Sequence, residues 1–323
     1  MILAGDIGGT KTLLALFERR PVRPVPIATR SFSTNQFQSL GDMVAAFLAT
    51  EALSPKRVEA ACFGVAGPVL DGRSQLTNVG WAAVAAEVRD RFALQEVELL
   101  NDLEALAWSV SVLAPAELET LQVGERSPFG NAAVIAAGTG LGMAILVRAG
   151  ATLLPVASEG GHADFAARTP REVQLLNVLT ETYGRAQWED VVSGPGLVNL
   201  HRFTHQTPCV AVPSRLDAPE KPSAISSAAL EGRCPHCVET LDLFTSMYGS
   251  AAGNLALTAA ATGGVYVGGG IAPKIVPALR AGQFMASFGT KAPMQPLLAR
   301  MPVHVILNSE AGLLGAAVRV NAE

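Results

Sequence analysis

Two similar glycine-rich hairpins constrain the fold of this chain more than any other feature. The first occupies residues 2–16 (ILAGDIGGTKTLLAL) and the second residues 133–147 (AVIAAGTGLGMAILV). Each consists of an apolar strand, a glycine-rich turn and a second apolar strand. Because glycine permits positive φ and a close approach of the backbone to a ligand, such turns are suited to binding. The repeat predicts two related halves that face each other across a cleft.

Strands and helices alternate in the rest of the chain. Apolar strands are predicted at residues 58–65, 97–100 and 265–267, and helical patterns at 103–113, 172–182 and 241–261. This alternation predicts an α/β fold whose ligands bind at the carboxyl ends of the strands.

Composition excludes some classes of function. The chain has 323 residues, 49% of them hydrophobic and 16% charged, and a net charge of −4 without a basic run, so nucleic-acid binding is not expected. Residues 243–273 carry no charge, but hydroxyl side chains and glycine pairs interrupt them, which predicts a buried helix and strand rather than a membrane span. Since Asp6 interrupts the first apolar residues, we expect no secretory signal and a cytoplasmic protein.

Three glycine-rich turns are candidate nucleotide-binding segments, because their backbone N–H groups can bind phosphate oxygens. Asp6 could orient Mg²⁺ through water. The alternatives are an ordinary hairpin turn for each hairpin and a strand-to-helix turn for the third. The candidate residues are Asp6, Gly8, Gly9, Thr10 and Lys11 in the first turn, Gly138, Thr139 and Gly140 in the second, and Gly269 and Gly270 in the third.

Asn101 and Asp102 directly follow an apolar strand. A carboxylate at that position can accept the proton of an attacking hydroxyl group, which typically accelerates a reaction by about 10²–10⁴-fold. The alternative is that Asp102 caps the alanine-rich helix that follows.

Two further polar groups suit a sugar. Glu159 and His162, separated by two glycines, can converge on neighbouring hydroxyl groups, and Glu189 can supply a second carboxylate. Solvated surface side chains are the alternative.

Cys234 and Cys237 have a spacing that suits zinc, but no second ligand pair is evident, and His205 and Cys209 are poorly spaced for it. Reduced thiols are the alternative there, and we predict no metal ligands.

Together these motifs resemble the bacterial glucokinase family, within the sugar kinase/Hsp70/actin-like superfamily. The most specific motif is residues 193–200 (SGPGLVNL), and others are Thr77-Asn78 with Trp81, Asn101-Asp102, residues 159–162 (EGGH) and residues 253–257 (GNLAL). The resemblance extends from Gly5 to about Gly315.

The resemblance implies two ribonuclease-H-like (actin-like ATPase) domains flanking a cleft, a smaller one of residues 1–105 plus 309–323 and a larger one of residues 106–308. It implies a cytoplasmic, usually dimeric enzyme that uses ATP and Mg²⁺. Asp102 then matches the catalytic base and the three glycine-rich turns the ATP-binding residues. The matching sugar ligands are Asn78, Asn101, Glu159, His162 and Glu189.

Lys11 departs from the pattern, because the family often has Asn there, and Gly-Gly-Thr-Lys is more similar to the related repressor/open-reading-frame/kinase (ROK) group. That group has a cysteine-rich zinc motif soon after Glu-Gly-Gly-His, whereas Ala163-Asp164-Phe165 follows here. We therefore predict a glucokinase-like hexose kinase.

Three alternatives stay open at this point: a kinase for another hexose or an N-acetylhexosamine, a non-catalytic sugar sensor on the same fold, and an ATPase that acts on protein partners.

Overall fold

A computed structural model describes residues 1–51, 58–76, 79–213 and 220–321. The chain forms two compact units, which are unit 1 (Met1–Ala114 with Asn308–Glu323) and unit 2 (Pro115–Leu307). The sequence-based boundaries at 105/106 and 308/309 stay a prediction about domains. Each unit is described by itself.

Unit 1 contains a five-stranded sheet in the order β3-β2-β1-β4-β7. Strands β1, β2 and β3 are antiparallel neighbours, whereas β4 runs parallel to β1 and β7 parallel to β4. A separate two-stranded sheet pairs β5 with β6. The strands are β1 (Ile2–Ile7), β2 (Lys11–Glu18), β3 (Val25–Ser33), β4 (Ala60–Val65), β5 (Arg73–Gln75), β6 (Ala82–Val84) and β7 (Glu96–Asn101).

Helices cover both faces of this sheet and bury its apolar residues in two clusters. One cluster joins the sheet to α1 and α2 through residues such as Phe47 and Val88, and the other joins it to α3 and α11 through residues such as Ala105 and Leu313. The helices are α1 (Leu40–Thr50), α2 (Ala85–Phe92), α3 (Asp102–Ser109) and α11 (Ala311–Arg319).

Unit 2 contains a six-stranded sheet in the order β11-β10-β9-β12-β13-β8. Strands β9, β10 and β11 are antiparallel neighbours, and β12 and β13 extend the sheet in parallel with β9. The order and directions of these five strands repeat those of unit 1, as the two hairpins predict, and β8 adds an antiparallel edge. The strands are β8 (Leu118–Gln122), β9 (Ala132–Ala137), β10 (Leu141–Ala149), β11 (Thr152–Ser158), β12 (Gly264–Gly268) and β13 (Val303–Ile306).

A 25-residue helix, α7, crosses the core of unit 2, and its residues from Phe244 to Ala252 are almost all buried. Strand β12 follows it, so the uncharged stretch 243–273 is a buried helix and strand, as predicted. Among the described residues, no helix is long and apolar enough to cross a membrane. The helices are α4 (Pro170–Tyr183), α5 (Gly194–Thr204), α6 (Lys221–Leu230), α7 (Pro235–Ala259), α8 (Val276–Arg280), α9 (Gln283–Gly289) and α10 (Gln295–Arg300).

Candidate active site

Three strands of unit 1 end at the same edge of its sheet. Ile7 of β1 pairs with Val65 of β4, and Val65 pairs with Asn101 of β7. The first hairpin turn and Asn101-Asp102 therefore follow the carboxyl ends of neighbouring strands, which is where ligands bind in α/β sheets.

The first turn is braced from outside the hairpin. Gly8 N–H donates to Lys11 C=O across the turn at 3.0 Å, and the Thr34 hydroxyl group donates to Gly8 C=O at 2.8 Å. The Thr34 backbone N–H also donates to Thr10 C=O at 3.0 Å. Thr10 and Lys11 themselves are exposed. The brace holds the backbone of the turn in one shape while leaving these two side chains available to a ligand.

Asp6 lies on β1 just before this turn and is half-buried. Burial raises the pKa of its carboxyl group, and the positive charge of Lys11 opposes that rise. A bound cation would favour the charged carboxylate still further.

Asn101, rather than Asp102, is the N-cap of α3. Its Oδ1 accepts a hydrogen bond from Leu103 N–H at 2.9 Å, and its Nδ2 donates to Gly67 C=O at 3.1 Å. The capping alternative considered for Asp102 therefore belongs to its neighbour. Asp102 is the first residue of the helix, and its own Oδ1 accepts from the same Leu103 N–H at 2.9 Å. The helix N-terminus thus fixes the direction of the Asp102 carboxylate.

In unit 2, Glu189 is attached to the second hairpin. Its Oε2 accepts a hydrogen bond from Leu141 N–H at 2.8 Å, directly after the turn. A Cβ atom at Gly140 would lie 2.5 Å from the same oxygen, so a larger residue there would displace the Glu189 carboxylate. A predicted sugar ligand and a predicted phosphate-binding turn are therefore in contact.

The Ser-Gly-Pro-Gly motif links both groups to α5. The Ser193 hydroxyl group caps α5 by accepting from Gly196 N–H at 2.9 Å, and it donates to Glu189 C=O at 2.7 Å. Gly194 N–H donates to Gly138 C=O at 2.8 Å. The motif thereby fixes the N-terminus of α5 beside the second turn.

Glu159 and His162 also lie in unit 2 and are exposed, with 3.8 Å between Glu159 Oε2 and His162 Nε2. Gln187 Oε1 lies 3.2 Å from His162 Nδ1, and it accepts a hydrogen bond from Arg185 at 2.9 Å. Because Gln187 Oε1 can only accept, it favours the tautomer with the proton on Nδ1, which leaves Nε2 of the neutral ring as an acceptor.

The segment after the Glu-Gly-Gly-His motif is docked beside Glu189. Trp188 N–H donates to Ala163 C=O at 3.0 Å, and Phe165 N–H donates to Ala186 C=O at 3.0 Å. These bonds bring residues 159–165 to residues 186–190, so the structure gathers Glu159, His162 and Glu189 in one unit.

The third turn lies against the end of β9. Ile271 N–H donates to Ala137 C=O at 3.2 Å, and Gly269 has a φ of +82°, which other residues rarely adopt. A pocket of about 710 Å³ lies beside this turn. It is lined by the second and third turns, by α5 and by the start of α6, and its polar lining includes Thr139, Asn199, Arg202, Ser223 and Lys274. Its size and mixed lining suit an organic ligand such as a nucleoside.

Tyr248 of α7 was missed by sequence reasoning. It is completely buried, and its hydroxyl group accepts from Ala137 N–H at 3.1 Å and lies 3.2 Å from Gly268 C=O. Ala137 and Gly268 are the last residues before the second and third turns. The signal in the sequence was a single Tyr in the uncharged part of this helix, because a buried Tyr hydroxyl group needs a partner.

The structure places the predicted residues in two groups. Asp6, Gly8, Gly9, Thr10, Lys11, Asn101 and Asp102 lie in unit 1, and Gly138, Thr139, Gly140, Glu159, His162, Glu189, Gly269 and Gly270 lie in unit 2. Asn78 lies outside the described residues. Thr34, Gln187 and Tyr248 support these residues but were not predicted, and Ser193 was noted only as part of the motif at residues 193–200. The functional roles stay predictions.

The repeated five-strand sheets, the glycine-rich turns at their edges and the gathered polar groups define a sugar kinase of the actin-like ATPase fold. Comparison with known proteins supports this class. The glucokinase family model matches residues 3–323. The chain therefore belongs to the glucokinase family, and the predicted fold and enzyme class are confirmed.

Individual relatives agree with the family match. A Synechocystis glucokinase is 42% identical, over 98% of this chain and 96% of that protein. The crystal structure of a glucokinase from an Antarctic psychrotroph superposes with a TM-score of 0.88 at 32% identity, covering 100% of this chain and 99% of that one. A ROK-family glucokinase from Streptomyces griseus, in complex with glucose and AMPPNP, has the same fold, with a TM-score of 0.66, 24% identity and coverage of 98% and 97%.

Proposed function

We propose that this member of the glucokinase family transfers the γ-phosphoryl group of ATP to glucose, with Asp102 as the general base. The observation that carries the proposal is the position of Asp102, at the carboxyl edge of the unit 1 sheet and fixed by the N-terminus of α3. The relatives named above are glucokinases, and one of them binds glucose and an ATP analogue. Their names favour glucose over the other hexoses and N-acetylhexosamines.

In this mechanism, the oxygen of a sugar hydroxyl group attacks the γ-phosphorus atom of ATP, and the Asp102 carboxylate accepts the proton of that hydroxyl group. Glu159, His162 and Glu189 bind other sugar hydroxyl groups and hold the attacking oxygen in place. Such positioning supplies much of the acceleration in phosphoryl transfer. Asn101 is held by Gly67 C=O and Leu103 N–H, and its remaining N–H and lone pair bind a sugar hydroxyl group.

The nucleotide is assigned to the three glycine-rich turns. The pocket beside Gly270 accommodates the adenosine, and the second turn, which lines the same pocket, binds its phosphates. The half-buried carboxylate of Asp6 fits Mg²⁺, a cation that prefers oxygen ligands. When bound, Mg²⁺ offsets negative charge on the phosphates.

The test is ADP release from Mg-ATP in the presence of a panel of hexoses, comparing the wild-type protein with Asp102→Asn. The Asn side chain keeps an oxygen for Leu103 N–H, so the helix should remain intact. We expect kcat with glucose to fall by about 10²–10⁴-fold while KM for glucose stays within a few-fold. Asp90→Asn is the control, because Asp90 is an exposed residue of α2 that pairs with Arg89.

Full turnover in Asp102→Asn would remove Asp102 from its role. Stimulation by a different hexose would replace glucose as the substrate. Sugar binding without any turnover in the wild-type protein would favour the sensor function, and ADP release without sugar would favour an ATPase.

We further propose that the active protein depends on Mg²⁺ and is a homodimer, on the basis of the family resemblance. Loss of turnover with EDTA and its recovery with Mg²⁺ would support the first part. Light scattering coupled to gel filtration measures the second, and a monomeric mass at assay concentration would contradict it.

A further inference from the structure

Three cysteines and one histidine that are distant in the sequence meet in unit 2, away from the residues assigned to sugar and nucleotide. His205 directly follows α5, and Cys209 lies four residues later. Cys234 is the N-cap of α7, and Cys237 lies in its first turn. From the sequence, His205 and Cys209 were possible but poorly spaced partners, because 28 residues separate Cys209 from Cys237. None of these residues has a place in the proposed phosphoryl transfer.

Three of the distances between their donor atoms agree with a tetrahedral zinc site. Cys209 Sγ lies 3.8 Å from Cys237 Sγ, and His205 Nε2 lies 3.5 Å from Cys234 Sγ and 3.8 Å from Cys237 Sγ. With Zn–S bonds of about 2.3 Å and Zn–N bonds of about 2.0–2.1 Å, tetrahedral angles place two sulfur atoms about 3.8 Å apart and sulfur and nitrogen about 3.6 Å apart. The three observed distances agree with these values.

Hydrogen bonding prepares His205 for this role. The carbonyl oxygen of His201 lies 2.8 Å from His205 Nδ1 and can only accept, so Nδ1 carries the proton. Nε2 therefore directs its lone pair at the thiols. A ring N–H group bound to a backbone carbonyl is the usual support of a histidine that binds zinc.

His201 holds the imidazole of His205 in place. The two rings stack with their centroids 3.8 Å apart, and His201 is buried. Its Nε2 atom is buried without a hydrogen-bond partner among the described residues. One donor atom each from His201, His205, Cys209 and Cys237 lie within 4.8 Å of one another, and Cys234 Sγ lies 3.5 Å from His205 Nε2. The site is therefore rich in soft and borderline donors.

A disulfide does not account for the cluster. All four cysteines of the chain are free thiols, and the 3.8 Å between Cys209 Sγ and Cys237 Sγ is far from the S–S bond length of about 2.05 Å. Three sulfur donors also exclude this cluster as the Mg²⁺ site, because Mg²⁺ prefers oxygen.

We propose that Cys209, Cys234, Cys237 and His205 bind one structural zinc ion. Four protein ligands leave no open position on the metal, so the ion is structural rather than catalytic. It ties the segment after α5 to the first turn of α7. Since the other end of α5 lies beside the nucleotide pocket, the ion stabilises a helix that lines that pocket.

The first test is the zinc content of the full-length protein, measured by ICP mass spectrometry after dialysis against metal-free buffer. We expect about one zinc per chain in the wild type. We expect a near-complete loss in Cys234→Ser and in His205→Ala. Cys62→Ala is the matched control, because Cys62 is a buried cysteine of β4 in the other unit, and it should keep the zinc. Equal metal content in all variants, or retention in His205→Ala, would overturn the assigned ligands.

The second test does not depend on whether a variant folds. The wild-type protein is stripped with a chelator under reducing conditions and titrated with Co²⁺ alone, which replaces zinc and absorbs visible light. We expect thiolate-to-cobalt charge transfer and the intense d–d bands of tetrahedral coordination, saturating at one equivalent. Absence of these bands from a stripped protein with native circular dichroism would refute the site.

Discussion

Tyr248→Phe tests how the nucleotide half of the site is held. The substitution removes one oxygen atom from the interior of unit 2 and leaves Ala137 N–H without its acceptor. It also removes the donor that lies 3.2 Å from Gly268 C=O and 3.3 Å from Ile135 C=O. No water can replace it easily, because Tyr248 is completely buried by the aromatic rings of Phe244 and Phe284 and by the sheet.

The expected cost follows from the orphaned amide. A buried polar group that loses its partner costs about 1–3 kcal/mol, so we expect the free energy of unfolding to fall by about 2 kcal/mol. In a chain of this length that corresponds to a decrease in Tm of about 3 °C. Since Ala137 and Gly268 lead into the second and third turns, we also expect a several-fold rise in KM for ATP with little change in KM for glucose.

Calorimetry or thermal circular dichroism gives the stability, and the ADP-release assay gives the two KM values. Tyr183→Phe is the control for stability, because it makes the same chemical change at an exposed hydroxyl group that donates to Asn199 Oδ1. That variant should lose less than about 0.5 kcal/mol. If Tyr248→Phe is as stable as Tyr183→Phe and binds ATP normally, the hydroxyl group does not support the turns.

Three further variants test other parts of unit 2. Ser193→Ala removes the cap of α5 and the donor to Glu189 C=O, so thermal denaturation should show a loss of about 1–2 kcal/mol. Gly140→Ala displaces the Glu189 carboxylate and should raise KM for sugar. Gly289→Ala is the control and should leave this KM unchanged, because a Cβ atom at Gly289 would meet no atom within 4 Å. Lys291 has a pKa lowered to about 8, from its ordinary 10.5, by burial first and by Arg168 second. Between about pH 8 and pH 10.5, Lys291 is therefore still protonated in the unfolded chain but has lost its proton in the folded chain. The free energy of unfolding should rise with pH over this range. The rise should be about 1 kcal/mol after solvent screening and absent in Lys291→Met, as pH-dependent urea denaturation would show.

Local patterns predicted the parts of the fold that depend on neighbouring residues. The hairpins at residues 2–16 and 133–147 specified strands and turns directly, and their similarity indicated the repeated sheet order. The uncharged residues 243–273 were correctly interpreted as a helix and a strand because glycines separate the two.

Contacts between distant residues could not be predicted in the same way. Asn101 and Asp102 are adjacent and both can cap a helix, so only the backbone conformation could assign the N-cap to Asn101. The contact of Glu189 with Leu141 joins segments that are 48 residues apart, and neither segment has a sequence pattern that predicts contact with the other. The spacing of Cys234 and Cys237 suggested a metal, but His205 and Cys209 become ligands only when α5 packs beside α7.

The hydrogen bonds that join Glu189, Ser193 and Gly138 have a thermodynamic consequence for the two substrates. A sugar that fixes the Glu189 side chain also restricts Leu141 and the second turn, which Glu189 contacts. ATP then binds a turn that is already ordered, so its binding loses less conformational entropy. By linkage, ATP must then improve the binding of sugar by the same factor. We therefore expect the dissociation constant of glucose to decrease when a non-hydrolysable ATP analogue is bound, and the dissociation constant of the analogue to decrease equally when glucose is bound.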